Sequence, residues 1–445
     1  MAIEICTVGG YNEVGKNMTV VMVDDEGIVL DMGFFLQRLV DFEESGGSKA
    51  QVSADELIKI GAIPDDSVIE DWRKQIKAIL IGHAHLDHYG AVPYLSNRYN
   101  APIIGTPFTI EVLKRMLKDD DLKIKNDLKV LNPNSKLRIS KNIEIEVLNI
   151  THSTLQTAMI AIHTKYGVIL YANDFKFDKH PILGKGPNYE RLEELSGKVI
   201  ALIVDSLYAS AEMKTPSEKV AREMLEDVLL GTENRGNAII VTCFASHLAR
   251  LSSIIDFGKR LNRKIIFLGR SLSKYVSSAE KVKLVDFSKK VEIIAYANKI
   301  KRRLERIEKD GRGDYLIVVT GGQGEPTSVL SKMLGGILPF DFLPEDSVVF
   351  SNKVIPVEPN ISNRKKMEEK LRKRRVRIFT DIHVSGHCAR EDLRDLINLI
   401  KPVHIIPAHG EMEKLSYLAE LAIEMGYKLG RTVHLMNNGE KIFVG

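Results

Sequence analysis

The sequence predicts an α/β protein in which one discontinuous domain is interrupted by a second α/β domain. Three observations carry that reading. Short apolar runs of strand length alternate with amphipathic stretches of helical period almost throughout the chain. Histidines and aspartates suited to chemistry fall in two groups, residues 31–205 and 383–409, separated by a stretch that has its own strand–helix alternation. The 445 residues suffice for roughly two or three domains. The economical division is an outer domain over 1–206 and 356–445 with an inserted domain over 207–355.

In chain order, Ile3–Val8, Met18–Val23 and Gly27–Asp31 read as consecutive strands joined by glycine-containing turns. Residues 42–66 are polar and turn-rich, with Glu44-Ser45-Gly46-Gly47-Ser48, and are expected to form a surface excursion. Ala78–Ile81 is an unbroken apolar run and reads as a buried strand. Helical periodicity places helices at Pro107–Lys118, Ser217–Leu230, Ser246–Leu261, Asn363–Arg372, Glu391–Ile400 and Glu411–Met425. Further strands are expected at Ile143–Leu148, Ala158–His163, Val168–Tyr171, Ala201–Val204, Ala238–Val241, Leu316–Val319, Ser347–Phe350 and His404–Ile406.

Composition narrows the function classes. The chain is 44% hydrophobic and 27% charged, an ordinary globular balance. Its net charge of +4 excludes a histone-like polycation, so any nucleic-acid surface must be local. Cys6, Cys243 and Cys388 are far apart, which favours a reducing, cytoplasmic compartment over a disulfide framework. Met1-Ala2-Ile3-Glu4-Ile5 enters a strand pattern without a basic, then apolar, leader, so no signal peptide is expected. No apolar run reaches membrane-spanning length, and no membrane partner is expected.

The most informative segment is His83-Ala84-His85-Leu86-Asp87-His88, in the loop after the Ala78–Ile81 strand. Imidazole and carboxylate are the usual ligands of zinc and related divalent ions. Four such groups in one loop exceed the needs of one structural site and suit two adjacent ions. His152, Asp174 and His409 each follow a predicted strand, where α/β folds gather their active sites. The expected assignment gives one ion His83, His85 and His152, and the other Asp87, His88 and His409, with Asp174 bridging. Asp87 is thus both a ligand and a catalytic residue. Zinc fits this donor set, with manganese or magnesium as substitutes. Asp31, in Leu30-Asp31-Met32-Gly33, is expected to hold the histidine loop by hydrogen bonds. His387 is left over once the ligand positions are filled and is assigned as the acid that protonates a leaving oxygen. Asp205, ending a strand, would keep it protonated and oriented.

With these residues placed, the chain resembles the metallo-β-lactamase superfamily, and within it the β-CASP nucleases. Asp31, the His83–His88 loop, His152 and Asp174 follow the superfamily's four motifs in order, and Asp205, His387 and His409 follow the three β-CASP motifs. Gly9-Gly10-Tyr11-Asn12-Glu13-Val14-Gly15-Lys16-Asn17, Phe244-Ala245-Ser246-His247-Leu248-Ala249-Arg250, Gly269-Arg270-Ser271, Thr320-Gly321-Gly322-Gln323-Gly324-Glu325-Pro326 and His383-Val384-Ser385-Gly386-His387 resemble the ribonuclease J family, in its shorter archaeal form. The resemblance implies an αββα sandwich with an inserted β-CASP domain. It also implies 5′-to-3′ exoribonuclease activity on single-stranded RNA with a preference for a 5′-monophosphate, endonucleolytic cutting in addition, and a homodimer. Histidine rather than valine at position 409 is the family's mark of RNA over DNA. His383, Ser385, Gly386, Ser246, Arg270 and Ser271 are the expected phosphate-binding residues, through hydroxyls, backbone N–H groups and a guanidinium.

Two other function classes compete. A small-molecule ester or thioester hydrolase of the same fold needs neither the long insertion nor His387. A non-catalytic RNA-processing scaffold would have lost ligands, and every expected ligand is present. The basic runs Lys299–Arg306 and Arg364–Arg377 carry interleaved glutamates and are read as solvated, salt-bridged helix faces, with RNA tracking as the alternative.

Overall fold

A computed structural model describes residues 3–44, 46–48, 52–355 and 358–444. The chain forms two compact units, one of residues 1–179, 185–215 and 386–445, the other of residues 180–184 and 216–385.

The first unit holds two sheets. One has the strand order Glu440–Val444, Ile3–Gly9, Met18–Val23, Glu26–Leu30, Ile76–Ile81, Ile103–Gly105 and Leu128–Val130. The other runs His404–Ala408, Val199–Asp205, Gly167–Ala172, Ala158–Thr164, Glu144–Asn149 and Ser135–Arg138. Alternation along the strands dictates how the sheets meet. Ile3 and Ile5, Val21 and Val23, Ile28 and Leu30, and Ala78 and Leu80 share one buried cluster with Ile145, Ile160, Ile169, Ile203 and Ile406 of the other sheet. Every second residue thus points into one shared core, so the sheets lie face to face. The intervening residues of the second sheet, among them Met159, Leu170, Leu202 and Ile405, bury against Leu192, Leu393, Leu396, Ile397 and Leu418 of the helices that cover it. This is the αββα sandwich that the resemblance implied.

The second unit holds a parallel six-stranded sheet, ordered Glu292–Ile294, Lys264–Leu268, Tyr315–Val319, Ile239–Thr242, Ser347–Phe350 and Arg377–Phe379. Its central strands are buried throughout, as parallel strands covered on both faces must be. Here the expected boundaries need correction. The sequence reading put residues 356–385 in the outer domain, yet Arg377–Phe379 pairs with Ser347–Phe350, and Met367 and Leu371 of the helix Asn360–Lys373 join the second unit's core. A three-residue, half-buried edge strand has too little apolar alternation to be seen in sequence.

The expected helices form, within a few residues of their expected ends, as Pro107–Asp119, Glu218–Leu230, Leu248–Arg260, Asn360–Lys373, Arg390–Ile400 and Met412–Glu424. Residues 42–66 are more ordered than expected, with helices Leu36–Glu44 and Ala54–Lys59; Ser45 and residues 49–51 lie outside the described residues. The helix Arg270–Lys281 was not foreseen, although Leu272, Tyr275, Val276 and Ala279 give it a buried stripe. Among the described residues no helix is long and apolar enough to cross a membrane.

Candidate metal centre

The site is assembled by the ends of strands. Ile76–Ile81, buried at its last four positions, delivers the chain to His83 and His85, and a single helical turn, Leu86–Tyr89, carries Asp87 and His88. The loop after Asp31 braces that turn, with Met32 N donating to His88 O at 2.7 Å and Phe34 N to Leu86 O at 2.9 Å. The approach is so close that a Cβ on Gly33 would lie 1.6 Å from the Asp87 carbonyl oxygen, so only glycine fits. In the second sheet the neighbouring parallel strands Gly167–Ala172, Val199–Asp205 and His404–Ala408 end side by side, with Ala172 beside Val204 and Asp205 beside Ala408. That register is why Asp174, Asp205 and His409, far apart in sequence, emerge together. Asp31, Asp174 and His409 all adopt left-handed backbone, with φ of 61°, 54° and 63°. Three such residues at one site mark backbone held in place by its surroundings.

Two ligand sets result. In the first, His85 Nδ1 lies 3.1 Å from His83 Nε2 and 3.2 Å from His152 Nε2, and Asp174 Oδ2 lies 3.5 Å and 3.7 Å from those two Nε2 atoms. In the second, His88 Nε2 lies 3.2 Å from Asp174 Oδ2 and 3.7 Å from Asp87 Oδ2, while His409 Nε2 lies 3.6 Å from Asp174 Oδ1 and 3.9 Å from Asp87 Oδ2. Within each set the donor atoms lie within 4.8 Å of one another, and Asp174 belongs to both. These are the two sets read from the sequence. His387 stands beside them, its Nε2 3.9 Å from Asp174 Oδ2 and its Nδ1 2.7 Å from Asp205 Oδ2.

The donor set fits divalent cations. Three imidazole nitrogens converge within hydrogen-bond distance in a buried pocket, and the buried Asp174 Oδ1 has no hydrogen-bond partner among the described residues. Without a cation such an arrangement leaves lone pairs facing one another and an acceptor unsatisfied. Burial, reinforced by neighbouring imidazoles, depresses His83 and His152 well below the usual histidine value and takes His85 to about 4, so all three are held neutral at physiological pH, the form in which imidazole binds a cation. His88 behaves oppositely. Burial opposes its charge, but the Asp174, Asp87 and Asp31 carboxylates outweigh burial and hold it well above the ordinary value, a proton that a bound cation would displace. Burial would raise Asp174, but the His409, His88 and His387 imidazoles around it hold it well below the usual carboxylate range.

The far nitrogens of the imidazoles are tied down in turn. His88 Nδ1 is 2.7 Å from Asp31 Oδ2, which also accepts from Tyr171 Oη at 2.8 Å, while Asp31 Oδ1 accepts from Gly82 N at 2.8 Å. Asp31 thus bonds both His88 and the backbone at Gly82, at the start of the histidine loop. His409 Nδ1 meets Asn17 Oδ1 at 3.0 Å, and Asn173 Nδ2 donates to that same oxygen at 3.0 Å. His152 Nδ1 donates to the Gly386 carbonyl at 2.7 Å, and a Cβ on Gly386 would come within 2.9 Å of the His152 ring. Gly386, expected among the phosphate contacts, here accepts from a histidine of the first candidate set. Thr215 Oγ1 donates to His387 O at 2.7 Å and accepts from Ala389 N at 2.9 Å, fixing the His387 loop. Sequence reasoning gave no orienting role to Asn17, Tyr171, Asn173 or Thr215. The only signal was the adjacency of Asn173 to Asp174 and the place of Asn17 in the Gly15-Lys16-Asn17 turn.

The other expected phosphate residues lie in the second unit. Ser246, Arg270 and Ser271 follow the carboxyl ends of its parallel strands Ile239–Thr242 and Lys264–Leu268, the usual place for ligands in such sheets. Arg270 and Ser271 are exposed in the first turn of their helix. His383 sits 3.5 Å from the fully buried Arg250 guanidinium, and its ring approaches Phe244 at 6.2 Å. Ser385 is half-buried.

Sandwich, ligand loop and paired ligand sets together define a hydrolase of the metallo-β-lactamase superfamily, and the family model of that description matches residues 11–202. The model "Ribonuclease J, beta-CASP domain" matches residues 236–368, and "Zn-dependent metallo-hydrolase RNA specificity domain" matches residues 373–435. The chain is 42% identical to the ribonuclease J of Methanocaldococcus jannaschii over 99% of this chain and 98% of that one. It is equally identical, 42%, to that of Pyrococcus abyssi over 99% and 97%. It is 31% identical to ribonuclease J 2 of Staphylococcus aureus over 95% of this chain and 72% of the longer relative. A crystal structure of a protein of unknown function from Enterococcus faecalis shares the fold, with a TM-score of 0.67 at 16% identity over 100% of both chains. The chain belongs to the ribonuclease J family.

Proposed function

We propose that the protein is a two-metal ribonuclease that removes nucleotides from the 5′ end of single-stranded RNA, prefers a 5′-monophosphate, and also cuts internally. The observation that carries the reading is the sharing of Asp174 between two complete ligand sets, with the His387–Asp205 pair beside it. His83, His85 and His152 would hold one zinc ion and Asp87, His88 and His409 the other. Bound there, the two ions supply an activated hydroxide and neutralise charge on the phosphoryl oxygens. His387 delivers a proton to the leaving 3′-oxygen. Asp205 keeps that proton in place, since its carboxylate, with Asp174 and Asp87, overcomes burial and takes His387 to about 9. The products are a 5′-phosphate and a 3′-hydroxyl.

Phosphodiester hydrolysis needs that acid, whereas hydrolysis of a small ester does not, which favours RNA over the small-molecule reading. His409 completes the second candidate ligand set, and histidine rather than valine at that position is what the family resemblance ties to RNA over DNA. His383, Ser385, Ser246, Arg270 and Ser271 are the groups we assign to the substrate's terminal and adjacent phosphates. We take the protein to work in the cytoplasm as a homodimer. Three free, buried cysteines suit a reducing compartment, and sedimentation at working concentration tests the dimer.

The test uses 5′-monophosphorylated single-stranded RNA labelled at its 3′ end, with wild type and His85→Ala side by side. Stepwise shortening from the 5′ end, abolished in the variant, is expected. Internal cuts alone would remove the 5′-to-3′ reading and leave an endonuclease. Absence of cleavage by protein that carries metal would sink the ribonuclease.

A further inference from the structure

We propose that the outward face of the helix Asn360–Lys373 and the turn after it form a docking surface for the body of an RNA strand, away from the metal ligands in sequence and in the second unit. The identity of the polyanion as RNA rests on the ribonuclease reading; the surface itself rests on charge geometry.

The helix sorts its basic residues into two kinds. Arg364, Met367 and Leu371 are buried. Arg364 has become part of the core, its guanidinium 3.3 Å from the centre of the Phe350 ring and donating to Gly322 O at 2.7 Å. Glu368 is consumed locally, 3.0 Å from Arg364 Nε and 2.7 Å from Arg372. The opposite face carries Lys365, Lys366, Lys370 and Lys373, all exposed. At about 100° per residue these four occupy an arc of roughly 140° that contains a single acid, Glu369. Arg375 follows in the turn, also exposed. Among the described residues none of these five cations forms an ion pair.

The second basic helix of the same unit is less one-sided. In Ala297–Asp310, Lys299, Lys301, Arg302, Arg306 and Lys309 are exposed and form no ion pair among the described residues, while Arg303 is bound to Glu292 at 2.8 Å and Glu308 to Arg312. Three acids, Glu305, Glu308 and Asp310, stand among its six cations, against two acids among six cations in Asn360–Lys373. The Asn360–Lys373 face is the more strongly basic of the two, in a chain whose net charge is only +4. Clustered cations of one sign repel one another and are retained at a cost unless a polyanion relieves them. Ile361, the exposed apolar residue of this helix, lies outside the lysine arc, so the face lacks the apolar centre of a protein interface. Lys365 to Lys373 spans ~12 Å along the axis, the reach of a few backbone phosphates. Lysine contacts of this kind hold any sequence and weaken with salt, which suits an enzyme that must keep hold of a strand as it shortens.

The test compares the metal-loaded full chain with a quadruple variant, Lys365→Gln, Lys366→Gln, Lys370→Gln and Lys373→Gln. A control variant carries Lys299→Gln, Lys301→Gln, Arg302→Gln and Lys309→Gln. Binding of a labelled phosphorothioate RNA of about 40 nucleotides is followed by anisotropy across a salt series. The expected result is a log Kd against log salt slope shallower by about 2–3, at ~0.7 per lost phosphate contact, and roughly tenfold weaker binding near physiological salt, in the first variant only. Cleavage of a 5′-monophosphorylated hexanucleotide should keep its kcat and KM, while KM for the long strand rises. An unchanged slope, or equal changes in both variants, overturns the proposal. So does intact RNA binding with lost binding to phosphatidylserine vesicles, which would make the face a membrane contact. Failure of every protein to cut the hexanucleotide would refute the ribonuclease reading while leaving the binding comparison readable.

Discussion

His387 Nδ1 lies 2.7 Å from Asp205 Oδ2, and the same ring's Nε2 lies 3.9 Å from Asp174 Oδ2, so one imidazole links the buried Asp205 to the carboxylate shared by the two candidate ligand sets. Burial lowers the pKa of this imidazole, but the Asp205 carboxylate, with Asp174 and Asp87 beside it, overcomes that and takes it to about 9. The folded value exceeds the ordinary 6.5, so the proton is held below about 9 and lost as pH rises through it. Cleavage that depends on this proton should therefore fall on the alkaline side near pH 9. In Asp205→Asn burial acts unopposed by that charge, and the limb should move down by at least one unit, with kcat lowered about 10²–10⁴-fold. A kcat–pH profile of both proteins checks this; an unmoved limb would remove His387 as the acid.

Asp174 belongs to both ligand sets, whereas His152 belongs to one. Elemental analysis of protein loaded with zinc and desalted should find about two ions per chain in wild type, about one in His152→Ala and close to none in Asp174→Ala. Equal loss in the two variants would mean that the sets fill as one unit.

Asn17 Oδ1 meets His409 Nδ1 at 3.0 Å, while its Nδ2 lies 3.2 Å from His88 Nε2 and donates to Asp87 O at 3.0 Å. Asn17→Ala should leave the fold intact and weaken binding at the His409 set about 10–100-fold, measured by competition with a chelator. Unchanged affinity would show that backbone geometry alone, with its left-handed His409, sets the ring.

In the second unit Arg250 is fully buried and spends its guanidinium on Glu218, on Ser351 O and Oγ at 2.9 Å and 2.8 Å, and on Ile382 O at 3.1 Å. Arg250→Met removes the guanidinium partner of the buried Glu218 carboxylate, leaving it His247 Nε2 at 3.3 Å, and should cost about 3–5 kcal/mol in denaturant unfolding. Arg250→Met combined with Glu218→Leu should recover part of that loss. A double variant worse than the single would show that the contacts to Ser351 and Ile382, rather than the ion pair, carry the stability.

Much of this protein was legible in sequence because its signals are local. The two sheets of the sandwich appear as alternating apolar runs, and the ligand loop is six consecutive residues after a strand. The positions of His152, Asp174 and His409 could be expected because each follows a strand, and for Asp174 and His409 those strands lie parallel in one sheet on either side of Val199–Asp205. The inserted unit's far boundary was missed because Arg377–Phe379 joins its sheet through backbone pairing, which side-chain pattern barely records.

Residue types and their spacing determined by themselves the α/β class, the candidate ligand set and the candidate acid, His387. Only the tertiary structure decided what orients them. The bond from His152 to Gly386 spans 234 residues and that from His409 to Asn17 spans 392, and no local rule links such pairs. The same holds for charge. The two basic runs look alike as strings, but folding buries Arg364 and pairs off Glu368 in one, leaving its lysines on a single bare face. Chemical identity is a property of each residue, whereas pKa, orientation and surface potential belong to the neighbours that folding supplies.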